Sequence, residues 1–561
     1  MDNLRLILFF ALAFIGLLLY QAWMEDYGIK QPTTEKTVAQ QPEQTQPNKD
    51  QETISSSVPE VAVPTEAGSE KSLGQPHVAG EGSANGGKTV KVETDLFRVD
   101  ISTRGGTIQR VYLLDYAVSP ETPDQKFELM SPTMPDLFIA QSGLIGSAHE
   151  KAPNHEAIYH IDQTDYHLAK DQDKLDITMR WSNDAGVEVI KHIVFQRGSY
   201  VIDVYHEVKN ASDTLWAARD YGQLQRSEPK KSSGFTTYTY TGGVYYTPAD
   251  KYEKVKFEEM AKKSLSVDSA HGWVAMIQHY FLGAWIPPAD QVDHFYTNSL
   301  PGPKYLIGSY SPAVTIEPGG SHEFKRRLYV GPKLQDKLES IAPGLELTVD
   351  YGWLTVIAKP IFWLLETIHD LVGNWGWAII ILTIIIKGAF FKLSETSYKS
   401  MANMRKFTPR LQAMKDRYGD DKQRLNQAMM ELYKKEKINP LGGCLPIVVQ
   451  IPVFIALYWV LLESVELRQA PFILWINNLS AKDPYFVLPL IMGVSMFIQQ
   501  KLNPAPPDPM QAKIMMSLPF VFTIFFAFFP SGLVLYWVVN NIISILQQWY
   551  ITRKIEQGAK A

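Results

Sequence analysis

Five apolar runs crowd the last third of the chain, at roughly residues 374 to 391, 441 to 462, 484 to 500, 513 to 529 and 531 to 549. A helix needs about 20 predominantly apolar residues to cross the hydrocarbon layer, and in lipid its backbone groups must be satisfied within the segment itself. These runs therefore predict a bundle of transmembrane helices, the last two divided only by the "FPSG" turn that starts at Phe529. Residues up to about 350 read differently, with most of the acidic charge and short strand-like stretches. The net charge is −5 and the pI about 6.2, so whole-chain electrostatics give no reason to expect DNA or other nucleic acid as a partner. Cys444 is the one cysteine. That excludes an intramolecular disulfide and a cysteine-based zinc site, and no cofactor or metal is expected.

A further span is expected at residues 1–28, where the apolar stretch runs from Leu6 to Trp23. Arg5 and the terminal amine precede it and Glu25 and Asp26 follow, which orients it with its N-terminus inside. A cleaved signal peptide is the competing reading. No small-x-small cleavage site follows Leu19, and Trp23 sits like an interfacial anchor, so an uncleaved anchor is expected. No cysteine lies nearby to make a lipoprotein.

Residues 29–87 are rich in Gln, Pro, Thr, Ser, Glu and Gly and nearly free of aromatics, a composition that cannot offset the entropy of ordering. They read as a disordered tether. "GSANGGKT" (Gly82 to Thr89) matches a phosphate-loop pattern, but such a loop needs a strand before it and a helix after it, and here a strand-like stretch follows. Nucleotide binding is not expected.

Residues 88–340 alternate with the strand period, as in Tyr200, Ile202, Val204, His206 and Val208 after "QRGS", and carry hairpin punctuation such as Gly242 and Gly243 in "YTYTGGVYYT". One large extracytoplasmic all-β sandwich is expected, delivered outside by the first helix. Its histidines show no metal spacing, and no carboxylate pair singles itself out for sugar chemistry. The stretch 351–370, "YGWLTVIAKPIFWLLETIHD", is apolar near helical spacing yet too polar to span, and predicts an interfacial amphipathic helix kinked at Pro360.

The loop 392–440 holds twelve basic and six acidic residues, which assigns it to the cytoplasm. Six spans with both termini cytoplasmic then fit every loop, with 550–561 as a cytoplasmic tail. Inside the loop a helical hairpin is expected. Thr408 and Pro409 read as N-cap and first turn, Leu411, Met414 and Tyr418 as one face, and Gly419 as the stop; Asp420 or Asp421 caps a second helix striped by Leu425, Met429 and Leu432. Arg405, Lys406, Arg410, Lys415 and Arg417 either only fix topology or dock ribosomal RNA, a targeting receptor or anionic lipid.

Lys387 interrupts an apolar run, "ILTIIIKGAFFKLSE". It stands four or five residues from the inner end of its span, so it can snorkel to the headgroups; a lysine kept at depth instead requires water or a partner. Thr383 lies one turn back, Gln450 lies mid-span in the next run, and Asn540 and Asn541 interrupt the last one beside Tyr536 and Trp537. No Asp or Glu occurs in the five spans, so the sharper reading is a cationic, hydrated, acceptor-rich cavity.

Between Asp350 and Arg553 the ordered stretches "DYGW", "GNWGWAIIILT", "MANMRKFTPRLQAMKDRYGDDKQRLNQAMMELYKKEKINPLGGCLPIVVQIPVFIALYWVL", "SVELRQAPF", "DPMQ" and "FPSGLVLYWVVNN" resemble the YidC membrane-protein insertases, as do "LYQAW" and "GWVAMIQHYFLGAWIP" outside that region. The resemblance implies the large-domain form of the Gram-negative inner membrane: an outer β-supersandwich and a five-helix core whose groove opens to cytoplasm and lipid. It also implies nascent membrane proteins as clients, membrane lipids, and a Sec-type translocon, the ribosome and the signal-recognition targeting machinery as partners, with no catalysis and no nucleotide hydrolysis. The family's groove cation is usually arginine; Lys387 keeps the charge but not the planar fork. On this basis Thr383, Lys387, Gln450 and Asn540 host a client's polar flank, while its apolar helix slides past Ile451, Phe454, Leu457, Phe525, Phe528, Tyr536 and Trp537 into lipid. An intramembrane protease built on Ser531 lacks a histidine within the spans, and a secondary transporter lacks repeated halves with interrupted helices.

Overall fold

The computed structural model describes residues 87–146, 151–229, 239–419, 421–435, 445–503 and 509–558. The expected anchor (1–28), the tether up to residue 86 and the junction 436–444 with Cys444 lie outside the described residues. Thr89, the end of the phosphate-loop-like text, opens the strand Thr89–Glu93, so no helix N-terminus follows those glycines.

Two antiparallel-dominated sheets occupy the chain from Thr89 to Pro332, one of eleven strands and one of eight. The larger runs from the edge strand Ser266–Ser269 to the edge strand Asp165–His167, and the smaller from Lys251–Val255 to Lys174–Ser182. Period-2 patterning drives their packing: along Val201–Asn210 the side chains of Ile202, Val204, His206 and Val208 point inward, as the sequence alternation predicts. Val99, Val111, Leu224 and Ile307 from one sheet and Ile177, Ile193, Ile202, Trp285 and Leu328 from the other share a single apolar core. Gly242 and Gly243 are not the hairpin turn they resemble. They open the strand Gly242–Thr247, and the turn comes later, before Lys251–Val255. Their small size serves packing, since a Cβ on Gly243 would collide with the terminal methyl of Met260, 2.2 Å away.

Charges are buried in this core as well. Arg326, inaccessible to solvent, ion-pairs with Asp220, lies 3.5 Å from Asp293 and donates to Ser309 Oγ at 3.1 Å. Lys191, equally buried, donates to the Gly105 carbonyl (2.7 Å), the Ser142 carbonyl (3.0 Å) and Ser142 Oγ (2.8 Å). Fully partnered groups like these cost little in place and several kcal/mol when one partner is removed.

Ten helices are described. Two short ones, α1 (Phe257–Lys262) and α2 (Gln335–Ile341), belong to the sandwich and its exit. Helix α3 (Thr355–Val372) follows a 3-10 turn at Gly352–Leu354 and contains Pro360. It buries Ala358, Phe362, Leu365 and Ile368 against the helical bundle, while Val356, Trp363, Leu371 and the preceding Trp353 stand exposed. Lys359, Thr367 and Asp370 are exposed as well, so the outward side mixes polar residues with tryptophans. Gly373, in the left-handed region at φ 68°, ends it, and Asn374 caps the next helix by accepting from the amides of Gly376 (2.9 Å) and Trp377 (3.2 Å).

The remaining helices are α4 (Trp375–Ala389), α5 (Phe391–Tyr418), α6 (Lys422–Lys435), α7 (Leu445–Glu463), α8 (Val487–Leu502), α9 (Pro509–Phe526) and α10 (Ser531–Gly558). Among the described residues no single helix is at once long and apolar enough to cross a membrane; α4 and the first part of α5 pass together, bent by 64° at their break. Shorter apolar helices cover Val449–Glu463, Val487–Leu502 and Ala512–Phe526.

Pro409 does not begin a helix, as its place after Thr408 suggests. It lies inside α5, which is already helical from Phe391, where a proline forfeits one backbone bond without ending a long helix. The hairpin otherwise follows the sequence: Gly419 stops α5 at φ 41°, and the Asp421 carboxylate accepts from the Arg424 amide at 3.1 Å to cap α6.

Candidate functional site

Polar side chains from three helices meet around Lys387. Its ammonium donates to Ser544 Oγ at 2.8 Å and to Gln450 Oε1 at 3.4 Å. Gln450 Nε2 donates to Asn540 Oδ1 at 2.6 Å, and the Ser544 hydroxyl donates to the Asn540 carbonyl one turn back at 2.7 Å. Lys387 on α4, Gln450 on α7 and Asn540 with Ser544 on α10 thus close a ring of hydrogen bonds. Lys387 is 6% exposed, its side chain enclosed by protein rather than extended to solvent. Among the described residues both of its hydrogen-bond acceptors are neutral, so its charge is solvated by them rather than neutralised.

Thr383 is buried one turn from Lys387, but its hydroxyl is spent on the Ile379 carbonyl at 2.6 Å. It lines the cluster without joining the ring. Ser544 joins the ring and escaped the sequence reading. The signal was available: it stands four residues after Asn540 on one helical face. Tyr398, on α5, adds a bond from its hydroxyl to the Ser544 carbonyl at 3.4 Å. Asn541 faces away from the ring and bonds Ser495 Oγ of α8 at 3.1 Å, and Gln548 bonds the Leu502 carbonyl and Asn503 Oδ1, both at 3.2 Å.

The apolar residues expected to line a client's path divide. Ile451, Phe525 and Phe528 are exposed. Phe454 is half-buried, its ring 6.1 Å from Tyr536 and 4.9 Å from Trp537, itself half-buried. Leu457 and Tyr536 belong to the bundle core rather than to a presented surface. Leu457 shares its helix face with the equally buried Leu461, one turn on.

Arg405, Lys406, Arg410, Lys415 and Arg417 all lie along α5. Arg410 and Arg417 are exposed, their guanidinium groups 5.6 Å from the Phe407 ring and 5.9 Å from the Tyr418 ring. The side chains of Arg405, Lys406 and Lys415 lie outside the described set.

At the opposite end the sandwich grips the loop between α7 and α8. Arg468 lies 5.4 Å from the Phe127 ring and 5.5 Å from the Phe281 ring and donates to the Ala117 carbonyl at 2.7 Å; Gln469 donates to the same carbonyl at 3.2 Å. His279 donates from Nε2 to the Leu462 carbonyl at 2.8 Å, and burial lowers its pKa to about 4, which keeps it neutral. Burial raises the Glu466 carboxyl to about 8, aided by Glu366 and Asp336 nearby. These contacts are structural, and none adjoins the ring around Lys387.

Comparison with known proteins covers both halves of the chain. The family profile described as YidC periplasmic domain matches residues 89–364, and that described as 60Kd inner membrane protein matches residues 367–558. A protein of Methylococcus capsulatus named membrane protein insertase YidC is 53% identical over 561 residues, covering 100% of this chain and 99% of the relative. One of the same name from Alkalilimnicola ehrlichii is 51% identical over 558 residues, covering 99% and 96%. A crystal structure described as active YidC insertase with the first transmembrane domain resolved aligns with a TM-score of 0.38 at 18% identity, covering 82% of this chain and 92% of that one. The chain belongs to the YidC family of membrane protein insertases.

Proposed function

We propose that this chain integrates nascent proteins into the bacterial inner membrane by lending their polar flanks a hydrated groove centred on Lys387. The observation that carries the reading is a buried ammonium held by two neutral acceptors. A client segment with a short polar flank meets a steep desolvation cost in hydrocarbon. The ring of Lys387, Gln450, Asn540 and Ser544, with Thr383 behind it, replaces water for that flank while the client's apolar helix passes Ile451, Phe454, Phe525 and Phe528 into lipid. Leu457, Tyr536 and Trp537 support that path from within. No bond is made or broken; apolar transfer and the membrane potential supply the drive.

In this reading the chain spans the membrane six times with both termini cytoplasmic. The sandwich is periplasmic, α3 lies along the outer surface, and the basic hairpin of α5 and α6 meets the ribosome or targeting machinery, with a Sec-type translocon as an accompanying partner. The test reconstitutes the purified chain into liposomes and adds a single-span client without nucleotide. Protease-protected, intact client supports the reading. Integration no better than in empty liposomes, or client fragments, overturns it.

A further inference from the structure

A lysine four or five residues from the end of an apolar run has an easy escape, because its flexible stem can carry the ammonium to the headgroup layer. In this structure Lys387 does not take it. Thr383 shows no hydrogen bond to the ammonium, its hydroxyl serving Ile379, and Gln450 is a long contact at 3.4 Å. Ser544 is the short one at 2.8 Å, and it is 2% exposed. Its hydroxyl proton is committed to the Asn540 carbonyl at 2.7 Å, the backward bond that serine often makes in a helix. That commitment orients Oγ and leaves its lone pairs to accept from Lys387. Tyr398 bonds the carbonyl of the same residue from α5, across the break that follows α4.

We propose that Ser544 is a positioning residue for the groove cation: it holds the Lys387 ammonium at depth, in the path of a client's flank, and so sets the preference for acidic flanks. The inference rests on the insertase reading for the word client, but not for the placement of the lysine. With Ser544 removed, Gln450 at 3.4 Å is the one remaining acceptor shown for the ammonium, and the stem relaxes toward the inner surface. Gln450 and Asn540 remain bonded to each other, so the groove keeps its polarity and loses its charge at depth.

Two measurements on the full-length chain test this. The first reads the rate at which a membrane-impermeant amine reagent modifies Lys387, followed on its own peptide by mass spectrometry in detergent-free liposomes. Ser544→Ala should raise that rate several-fold and Ser544→Thr, which keeps the hydroxyl, should restore it. The second compares insertion of one client carrying an acidic or a neutral translocated tail. Loss of a charge-assisted hydrogen bond should lower the acidic-to-neutral ratio about tenfold in Ser544→Ala, and again not in Ser544→Thr. In a Lys387→Gln background the serine substitution should change the ratio no further. Unchanged labelling in Ser544→Ala, or an unchanged ratio, overturns the proposal, as does an equal loss for both tails, which would mark a merely structural serine. If Lys387→Gln by itself leaves the ratio unaltered, the groove reading fails, while the labelling still decides where the lysine is held.

Discussion

Substituting Lys387 separates charge from shape at the residue scale. Lys387→Arg keeps the cation and should retain acidic-tail insertion, Lys387→Ala should lower it, and Lys387→Glu should lower it most because like charges repel there. Insertion of one client with acidic, neutral or basic tails, at matched expression, reads this; an even response across all tails would return Lys387 to an ordinary span end. A second residue-level prediction concerns His155 in the sandwich. Its Nδ1 lies 2.6 Å from the Tyr221 hydroxyl, and burial, with Lys191 and Arg104 nearby, lowers its pKa to about 4. The unfolded chain takes up that proton near pH 6.5, before the folded one does. Stability is therefore full above pH 6.5 and falls as pH drops toward 4, by on the order of 3 kcal/mol from this group. His206, buried and lowered in the same direction, adds to the loss. Thermal unfolding of the full chain between pH 7 and 4.5 should show a falling midpoint, and His155→Gln should flatten the slope. Lys387, Gln450 and Asn540 were legible as polar breaks in apolar runs, but Ser544 and the fate of Lys387 were not. That fate turns on Ser544, 157 residues away, and nothing local in "IIIKGAFF" reveals that bond.

At the scale of elements, α8 and α9 pack tightly where Gly493 meets Thr523. A Cβ on Gly493 would lie 2.0 Å from Thr523 Oγ1, so Gly493→Val should push the two helices apart and lower stability by about 1–3 kcal/mol. Because Thr523 and the exposed Phe525 belong to the same helix, its displacement should lower insertion too; Thr523→Ala in the same chain should recover part of both, and a neutral Gly493→Val would refute the close packing. Helix α5 carries another test. Replacing Arg405, Lys406, Arg410, Lys415 and Arg417 by glutamine should weaken salt-sensitive binding of ribosomes and co-translational insertion, provided topology is retained. Binding unchanged across a salt titration would leave those residues as topology signals alone. The turn of this hairpin was readable in Gly419, which ends one helix, and Asp421, which caps the next, because their chemistry acts within a turn. Its start was not, because Thr408 and Pro409 look the same at a first turn as inside a helix already propagating from Phe391. Leu457 and Tyr536 escaped for a related reason. Periodicity gives a helix its apolar face but does not say whether lipid or another helix covers it.

Across the whole molecule, the sandwich and the bundle meet through Arg468, Gln469 and His279, none of which adjoins the ring around Lys387. Deleting about residues 90 to 320, with α3 retained, should therefore preserve insertion while lowering the bundle's thermal stability, since Arg468 loses both aromatic rings. Abolished insertion by a stably expressed deletion would give the sandwich a direct part. The sandwich as a class was plain from alternation such as Ile202, Val204, His206 and Val208. Its order of strands was not, because pairings such as Phe281–Ile286 with Ser321–Pro332 join segments far apart in sequence. The bent α4–α5 pair also has an electrical meaning. On the proposed membrane placement, a helix that breaks after Ala389, beside a buried ammonium, two amides and a hydroxyl, replaces part of the insulating layer with polarisable matter. A resting voltage then falls mainly across the apolar thickness that remains, so the field there is steeper than in the surrounding bilayer. One charge gains about 2.3 kcal/mol per 100 mV on full passage. In the proposed orientation an acidic flank resting near Lys387 has spent little of that energy, and nearly all of it is released in the short outer step.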